Sequence, residues 1–320
     1  MSFFAVPVAR SASRPFASQA LAGIGLATLL LASAHAAVPA APTKPVQQVD
    51  WCARLSPRLP GISTASCRQA GLAPSGAVSQ RGFPILKRQF AATKTSKDQH
   101  PIRILLLGGI HGDELTASAI VFRWMQWMQL PPAQNFQWTV VPVVNPDGLL
   151  ASKPRRVNAN GVDLNRNFPT PGWHQDAPRY WAKATNSDPR RFPGKNPLSE
   201  PESRWVNDEI ARFKPHVIIS VHAPFGVLDF DGPARPPQKF GRLVFTPVGV
   251  YPGSLGNYSG MYKKVPIITI ELPNALAMPP EAEVKRIWQD MLVWIQHNVP
   301  RRDLPVTIQR TADKGPAPAR

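Results

Sequence analysis

The chain has 320 residues, enough to bury a full hydrophobic core, and no internal repeat or heptad divides it, so a single α/β domain is the economical reading. Its formal charge is +17, from 37 Lys and Arg against 20 Asp and Glu. Such a surface attracts polyanions and acidic substrates, but the basic residues are dispersed and no nucleic-acid module is recognisable, which argues against nucleic acid as the partner.

Residues 1–36 read as a secretory signal peptide. Arg10 and Arg14 precede an apolar segment, residues 20–32, that ends in Ala34, His35 and Ala36, with cleavage expected after Ala36. The apolar core falls short of the roughly 20 residues that a bilayer span requires, so no stable membrane span is expected after signal removal. Losing Arg10 and Arg14 lowers the charge by two, to +15, a balance that suits an anionic cell-wall polymer. The expected location is outside the cytoplasm, in the periplasm. There the chain's two cysteines, Cys52 and Cys67, are expected to pair, and closing a loop of about 15 residues contributes about 3 kcal/mol in the chain-entropy picture. No Cys-x-x-Cys spacing offers a thiolate zinc site. Residues 37–99 read as an Ala/Pro-rich linker followed by an irregular covering segment that carries the cysteine pair, residues 100–299 as the catalytic domain, and residues 300–320 as a disordered tail.

The core opens with an apolar run, residues 102–107, broken by Gly108 and Gly109. This is the pattern of a buried strand that ends in a tight loop at the carboxyl edge of a sheet, where α/β folds place their sites. His111 and Glu114 lie in that loop. A His and a carboxylate three residues apart can meet one ion, although an ordinary polar loop explains the pair taken alone. Residues 115–129 form a helix apolar on nearly every face, hence one packed on both sides. A second strand, residues 138–144, ends in the turn signature Asn145-Pro146-Asp147-Gly148. Residues 170–201 are rich in Pro, Trp and Arg without periodicity, and a loop that long is more often a binding wall or lid than a plain connection. A helix over residues 202–213, a strand 217–221 ending in His222, a strand 267–270 ending in Glu271 and a helix 281–296 complete the chain. The alternation predicts a doubly wound, mixed but mainly parallel sheet flanked by helices. It also brings His111, Glu114 and His222 to one sheet edge, and two imidazoles with a carboxylate form a catalytic zinc set that leaves a position for water.

The motifs His111-Gly-Asp-Glu114, Asn145-Pro-Asp-Gly148, Asn160-Gly-Val-Asp-Leu-Asn-Arg-Asn-Phe-Pro169, Ser220-Val-His222 and Thr269-Ile-Glu271 occur in the order found in zinc carboxypeptidases of the funnelin (M14) class, which the chain resembles over residues 100–298. Within that class the stretch Arg156-Val-Asn-Ala-Asn-Gly161, the run Pro197-Leu-Ser-Glu-Pro-Glu202 and Pro252-Gly-Ser-Leu-Gly256 look most like the murein peptide amidase branch. The resemblance implies one Zn2+ per chain on His111, Glu114 and His222, with Glu271 as the general base that takes a proton from metal-activated water. It further implies that Asp163 orients the first zinc histidine and that Asn165 and Arg166 grip the substrate's terminal carboxylate. Arg156 matches the arginine that polarises the scissile carbonyl, with Arg155 beside it as the alternative. Tyr251 matches the tyrosine that closes over substrate, with Tyr258 as the alternative. Asp229 and Asp231, just beyond His222, either pair with the amine of a diaminopimelate side chain or form a solvated acidic turn. The implied activity is hydrolysis of the γ-D-Glu–diaminopimelate bond of peptidoglycan stem peptides or muropeptides. A general metallocarboxypeptidase and a non-catalytic wall-binding protein are the alternatives.

Overall fold

The computed structural model describes residues 49–93 and 100–300. The expected signal peptide, the Ala/Pro stretch and residues 301–320 of the expected tail lie outside the described residues.

Two short helices come first, α1 (Trp51–Leu55) and α2 (Thr64–Gln69). Asp50 caps the first by accepting from Ala53 N, and Ser63 caps the second by accepting from Ser66 N. Cys52 and Cys67 join the two helices through a disulfide with their Cα atoms 5.6 Å apart. The chain then forms a hairpin, β1 (Ala73–Val78) and β2 (Pro84–Phe90), and β2 pairs antiparallel with a strand of the main sheet. The segment expected to be irregular is therefore regular and extends the sheet. Its alternation is hard to read because it forms the margin of the sheet, with β1 as the edge strand. Only Ile85 and Phe90 of β2 are buried, the intervening Lys87, Arg88 and Gln89 are polar, and β1 is built of small residues and a proline.

The elements that follow are β3 (Arg103–Leu107), α3 (Leu115–Met125), β4 (Gln137–Val141), α4 (Pro146–Leu149), α5 (Trp173–Ala184), α6 (Pro201–Phe213), β5 (Val217–His222), β6 (Val227–Asp231), β7 (Lys239–Phe240), β8 (Leu243–Phe245), β9 (Ile267–Glu271) and α7 (Glu281–Asn298). The described strands form one mixed sheet in the order β1-β2-β4-β3-β5-β9-β6-β8-β7. Its centre, β4-β3-β5-β9, is parallel, and both flanks turn antiparallel, β2 against β4 and β6 against β9.

The central strands read as unbroken apolar runs because both faces are covered. Ile104, Leu106 and Ile219 face α3 and α7, whereas Leu105, Leu107 and Ile218 face Trp205, Val206, Ile210 and Phe213 of α6. On the first face Trp288 lies between Trp124 and Trp138 with ring centroids 5.6 and 5.5 Å away, and such pairs are worth about 0.5–1.5 kcal/mol each beyond their burial. The doubly wound α/β expectation holds.

The stretch expected to lack periodicity holds α5. Trp173 and Ala177 are buried one turn apart, and Tyr180 and Trp181 continue the stripe half-buried. Pro178 and the exposed polar face of the helix conceal that stripe in the sequence. No helix among the described residues is long and apolar enough to cross a membrane.

Candidate metal centre and substrate cleft

The parallel strands end together, and their carboxyl ends carry the chemistry. His222 and Glu271 are register partners at the ends of β5 and β9, and His111 and Glu114 occupy the loop after β3. That loop packs backbone against backbone on the turn after β4: a Cβ on Gly112 would lie 2.3 Å from the carbonyl carbon of Gly148, so only glycine fits. Asn145 fastens the contact, its amide donating to Arg156 O at 3.0 Å while its carbonyl oxygen accepts from Gly148 N at 2.9 Å.

His111, Glu114 and His222 are buried, and one ligand atom from each lies within 4.8 Å of the others. Glu114 bridges the imidazoles, with Oε1 2.7 Å from His111 Nδ1 and Oε2 3.1 Å from His222 Nδ1. The two Nδ1 atoms face each other at 3.2 Å. The far nitrogens are occupied: His111 Nε2 faces Asp163 Oδ1 at 3.2 Å and His222 Nε2 faces Ser220 Oγ at 3.0 Å. A proton held at each Nε2 leaves lone pairs at both Nδ1 atoms, converging with a carboxylate. That donor set fits a cation, and two His with one Glu and an open position is the catalytic zinc pattern. Burial raises the Glu114 carboxyl, but the two imidazoles outweigh it and hold it below the usual carboxylate range. Glu271 Oε2 is buried with no hydrogen-bond partner among the described residues, and burial pushes this carboxyl up.

Asp163, fully buried, ties the metal loop to the substrate residues. Its Oδ2 accepts from Arg156 Nε at 2.9 Å and its Oδ1 accepts from Asn165 N at 3.0 Å. Burial opposes its ionisation, yet Arg156 and His111 hold it well below the carboxylate range. Arg156 also places Nη1 3.2 Å from His111 Nδ1 and 3.5 Å from Glu114 Oε1. Arg155 turns away to Ala159 O.

A cavity of 440 Å³ opens over these residues, lined by His111, Glu114, Arg156, Asn165, Arg166, His222, Asp229, Asp231, Tyr251 and Glu271 among others. The structure thus brings the expected residues to one cleft, and it places Arg156 rather than Arg155, and Tyr251 rather than Tyr258, on the wall. Tyr258 is buried against Phe168 and donates to Asn207 Oδ1. Tyr251 lies under Arg166, whose Cζ is 4.6 Å from the ring centroid, and donates to Val248 O at 2.7 Å. Arg166 is buried with Nε unpartnered among the described residues, and burial lowers its pKa. Gly253 supports it from behind, where φ is +75° and a Cβ would come within 1.9 Å of Arg166 O. Burial and the nearby Asp229 raise Asp231 to about 6.

Some motif residues serve the scaffold. Asp147 accepts from Ser79 Oγ and Arg81 N at 2.7 and 3.0 Å, and Glu202 accepts from Gln80 N and Asn158 Nδ2, docking the β1-β2 turn onto the core. Ser220, quoted above only as part of the Ser220-Val-His222 motif, gains a role here, since its position two residues before His222 puts it on the same strand face. The sequence reading missed Asp113, Arg190 and Arg191, which line the cleft.

The zinc carboxypeptidase (peptidase M14) family model matches residues 77–228, a stretch that contains His111, Glu114, Arg156, Asp163, Asn165, Arg166 and His222. Murein peptide amidase A of Vibrio campbellii is 30% identical over 178 residues, covering 53% of this chain and 69% of that protein. The chain belongs to the zinc carboxypeptidase family. Murein peptide amidase A of Escherichia coli K12 is 35% identical over 161 residues, 48% of this chain, and the match spans 64% of that relative's length. Carboxypeptidase A from Helicoverpa armigera superposes with a TM-score of 0.54 at 17% identity, over 72% of this chain and 70% of that one, which shows a common zinc carboxypeptidase fold. Glu271 lies beyond the family-model match, and the sheet register places it beside His222.

Proposed function

We propose that the protein is a zinc-dependent hydrolase that cuts the γ-D-glutamyl–diaminopimelate bond of peptidoglycan stem peptides, and that it works outside the cytoplasm, in the periplasm. One observation carries this reading. The cleft that holds the metal residues and Glu271 also holds, in one cavity, a buried guanidinium with an unpartnered nitrogen and two buried carboxylates. Arg166 suits a terminal carboxylate, and Asp229 and Asp231, neither of which forms an ion pair with a described residue, suit an amine on the same residue. A diaminopimelate residue bears both groups. The murein peptide amidase relatives support the same substrate class, and the Cys52–Cys67 bridge supports an oxidising compartment.

His111, Glu114 and His222 would hold the zinc. When bound, zinc supplies a Lewis acid for the scissile carbonyl and lowers the pKa of water. Arg166 and Asn165 fix the leaving residue by its carboxylate, with the Arg166 guanidinium held over the Tyr251 ring. Arg156 directs Nη1 into the metal cluster while Asp163 fixes its Nε, a geometry suited to stabilising negative charge that develops on the carbonyl oxygen. Glu271 Oε2 takes a proton from the attacking water and returns it to the departing amine, so the C–N bond breaks and free diaminopimelate leaves with its amine restored. Glu271 also separates this reading from a passive wall-binding protein, which has no use for a base at the metal.

Two peptides test the side-chain assignment: L-Ala-γ-D-Glu followed by diaminopimelate or by 2-aminopimelate, which lacks the distal amine. A buried polar group left without its partner costs about 1–3 kcal/mol, so kcat/KM should fall roughly tenfold or more when the amine is lost. Equal rates on the two, or faster release of ordinary α-linked residues, would identify a general carboxypeptidase instead.

A further inference from the structure

We infer that the turn Pro189–Arg191 is an anion subsite, with Arg190 as its principal contact, that holds a free carboxylate on the acyl side of the scissile bond. The inference rests on the γ-glutamyl reading above, because only a γ-linked glutamate carries a free α-carboxylate there. In an ordinary peptide that carboxyl group is itself the scissile amide.

Both arginines line the cleft although they come from the long segment between the motif residues and α6. The turn that carries them is fixed from both sides. Asp188 accepts from Arg190 N at 2.9 Å through its side chain, and its backbone carbonyl accepts from Trp181 Nε1 at 2.8 Å. On the other side, Phe192 O accepts from Asp163 N at 2.8 Å, and the Phe192 ring packs 4.9 Å from Trp181. The guanidinium groups are thus presented by a stem bonded directly to the residue that orients His111. A subsite built this way loses little conformational freedom when an anion binds.

Position assigns the side. Arg190 Nη2 meets Asp113 Oδ2 at 2.9 Å, and Asp113 lies between the ligands His111 and Glu114 on the metal loop. The residues proposed for the leaving group, Arg166 with Asp229 and Asp231, are on other elements of the cavity. A peptide threaded across the metal with its terminal carboxylate at Arg166 puts its acyl residue toward the metal loop, and so toward Arg190. Asp113 occupies only part of the Arg190 fork, and the side chain stays 59% exposed. The Arg191 pairing with Asp188 is loose, at 3.6 Å. Spare donors in a planar fork suit a carboxylate.

The experiment uses the zinc-loaded protein and two substrates: L-Ala-γ-D-Glu-diaminopimelate and the same peptide with the glutamyl α-carboxylate converted to the carboxamide. The wild type should lose roughly tenfold in kcat/KM on amidation, chiefly through KM, as expected for one charge-assisted contact at a half-exposed site. In Arg190→Gln the two substrates should become equal within about twofold, and Arg190→Lys should restore part of the difference. A purely structural role for Arg190 would lower both rates and leave their ratio unchanged, which would overturn the subsite. A wild type that cuts both peptides equally would also overturn it while leaving the γ-glutamyl reading intact. Failure to cut either peptide would remove that reading and the subsite together.

Discussion

Asp163→Asn is the substitution from which the structure predicts most. The side chain is fully buried and has three partners: His111 Nε2 at 3.2 Å and Asn165 N at 3.0 Å on one oxygen, Arg156 Nε at 2.9 Å on the other. Asparagine keeps the shape and one acceptor, but it removes the charge and points an NH2 group at Arg156 Nε–H. Neutralising one partner of a buried ion pair costs about 3–5 kcal/mol. Glu114 remains 3.5 Å from Arg156, so the lower end, about 3 kcal/mol, is expected, and the melting temperature should fall by roughly 5–10 °C. The amide oxygen left facing His111 Nε2 is a weaker acceptor than the carboxylate, so zinc binding should also weaken, by about 10-fold. The pH dependence has a fixed sign. Because the folded carboxyl is held below its unfolded value, its stabilisation is present above a pH of about 4 and is lost as pH falls through the folded pKa. The gap between wild type and variant should therefore be full at pH 7 and close in strong acid. Thermal unfolding of the metal-free proteins and competition for zinc against a chromophoric chelator read the two effects separately. An unchanged melting temperature together with unchanged zinc affinity would refute the claim that Asp163 links the metal loop to the substrate residues.

Glu271→Gln should retain zinc and bind substrate while turnover falls by roughly 10²-fold or more; rapid-quench measurement of the cleavage step beside a binding titration checks this, and wild-type turnover would remove Glu271 from the chemistry. Asp231→Asn should stabilise the free protein at neutral pH, because a carboxyl raised to about 6 favours folding below its unfolded value near 4 and loses that contribution as pH rises through about 6. Allowing for solvent at the cavity, the gain should be about 1–2 kcal/mol at pH 7.5 and near zero at pH 3.5, read from denaturant titrations, and no pH dependence of the difference would contradict the burial argument. The denatured, unreduced protein, expressed with its N-terminal segment, should show no free thiol, and opening the loop between Cys52 and Cys67 should cost about 3 kcal/mol of stability; two reactive thiols would contradict the bridge and the proposed export.

What the sequence made legible follows from where the signals arise. Fully covered strands such as Arg103–Leu107 and Val217–His222 write burial into every residue, so their ends, and hence His111, Glu114, His222 and Glu271, could be placed at one edge. Strands near the sheet's margin carry no such record: β2, second from the edge, shows only two buried positions, and its place in the sheet depends on β4, far along the chain. Helix α5 is hard to read because its buried stripe is narrow and Pro178, exposed within the helix, has the look of a breaker. Among site residues, the choice of Arg156 over its neighbour could not come from composition, since both are arginines. Packing decides it, by turning one toward Asp163 and the other toward Ala159 O. Arg190 was invisible for a similar reason, because its meaning lies in the contact with Asp113, distant in sequence and adjacent in space.

The central claim concerns one bond, and the most direct measurement identifies the products of cutting it. Zinc-loaded protein incubated with purified L-Ala-γ-D-Glu-diaminopimelate should release free diaminopimelate and L-Ala-D-Glu, resolved by mass spectrometry; a chelator should stop the release and added zinc restore it, while Glu271→Gln should yield almost none. An intact peptide after prolonged incubation, or cleavage between alanine and glutamate instead, would contradict the account.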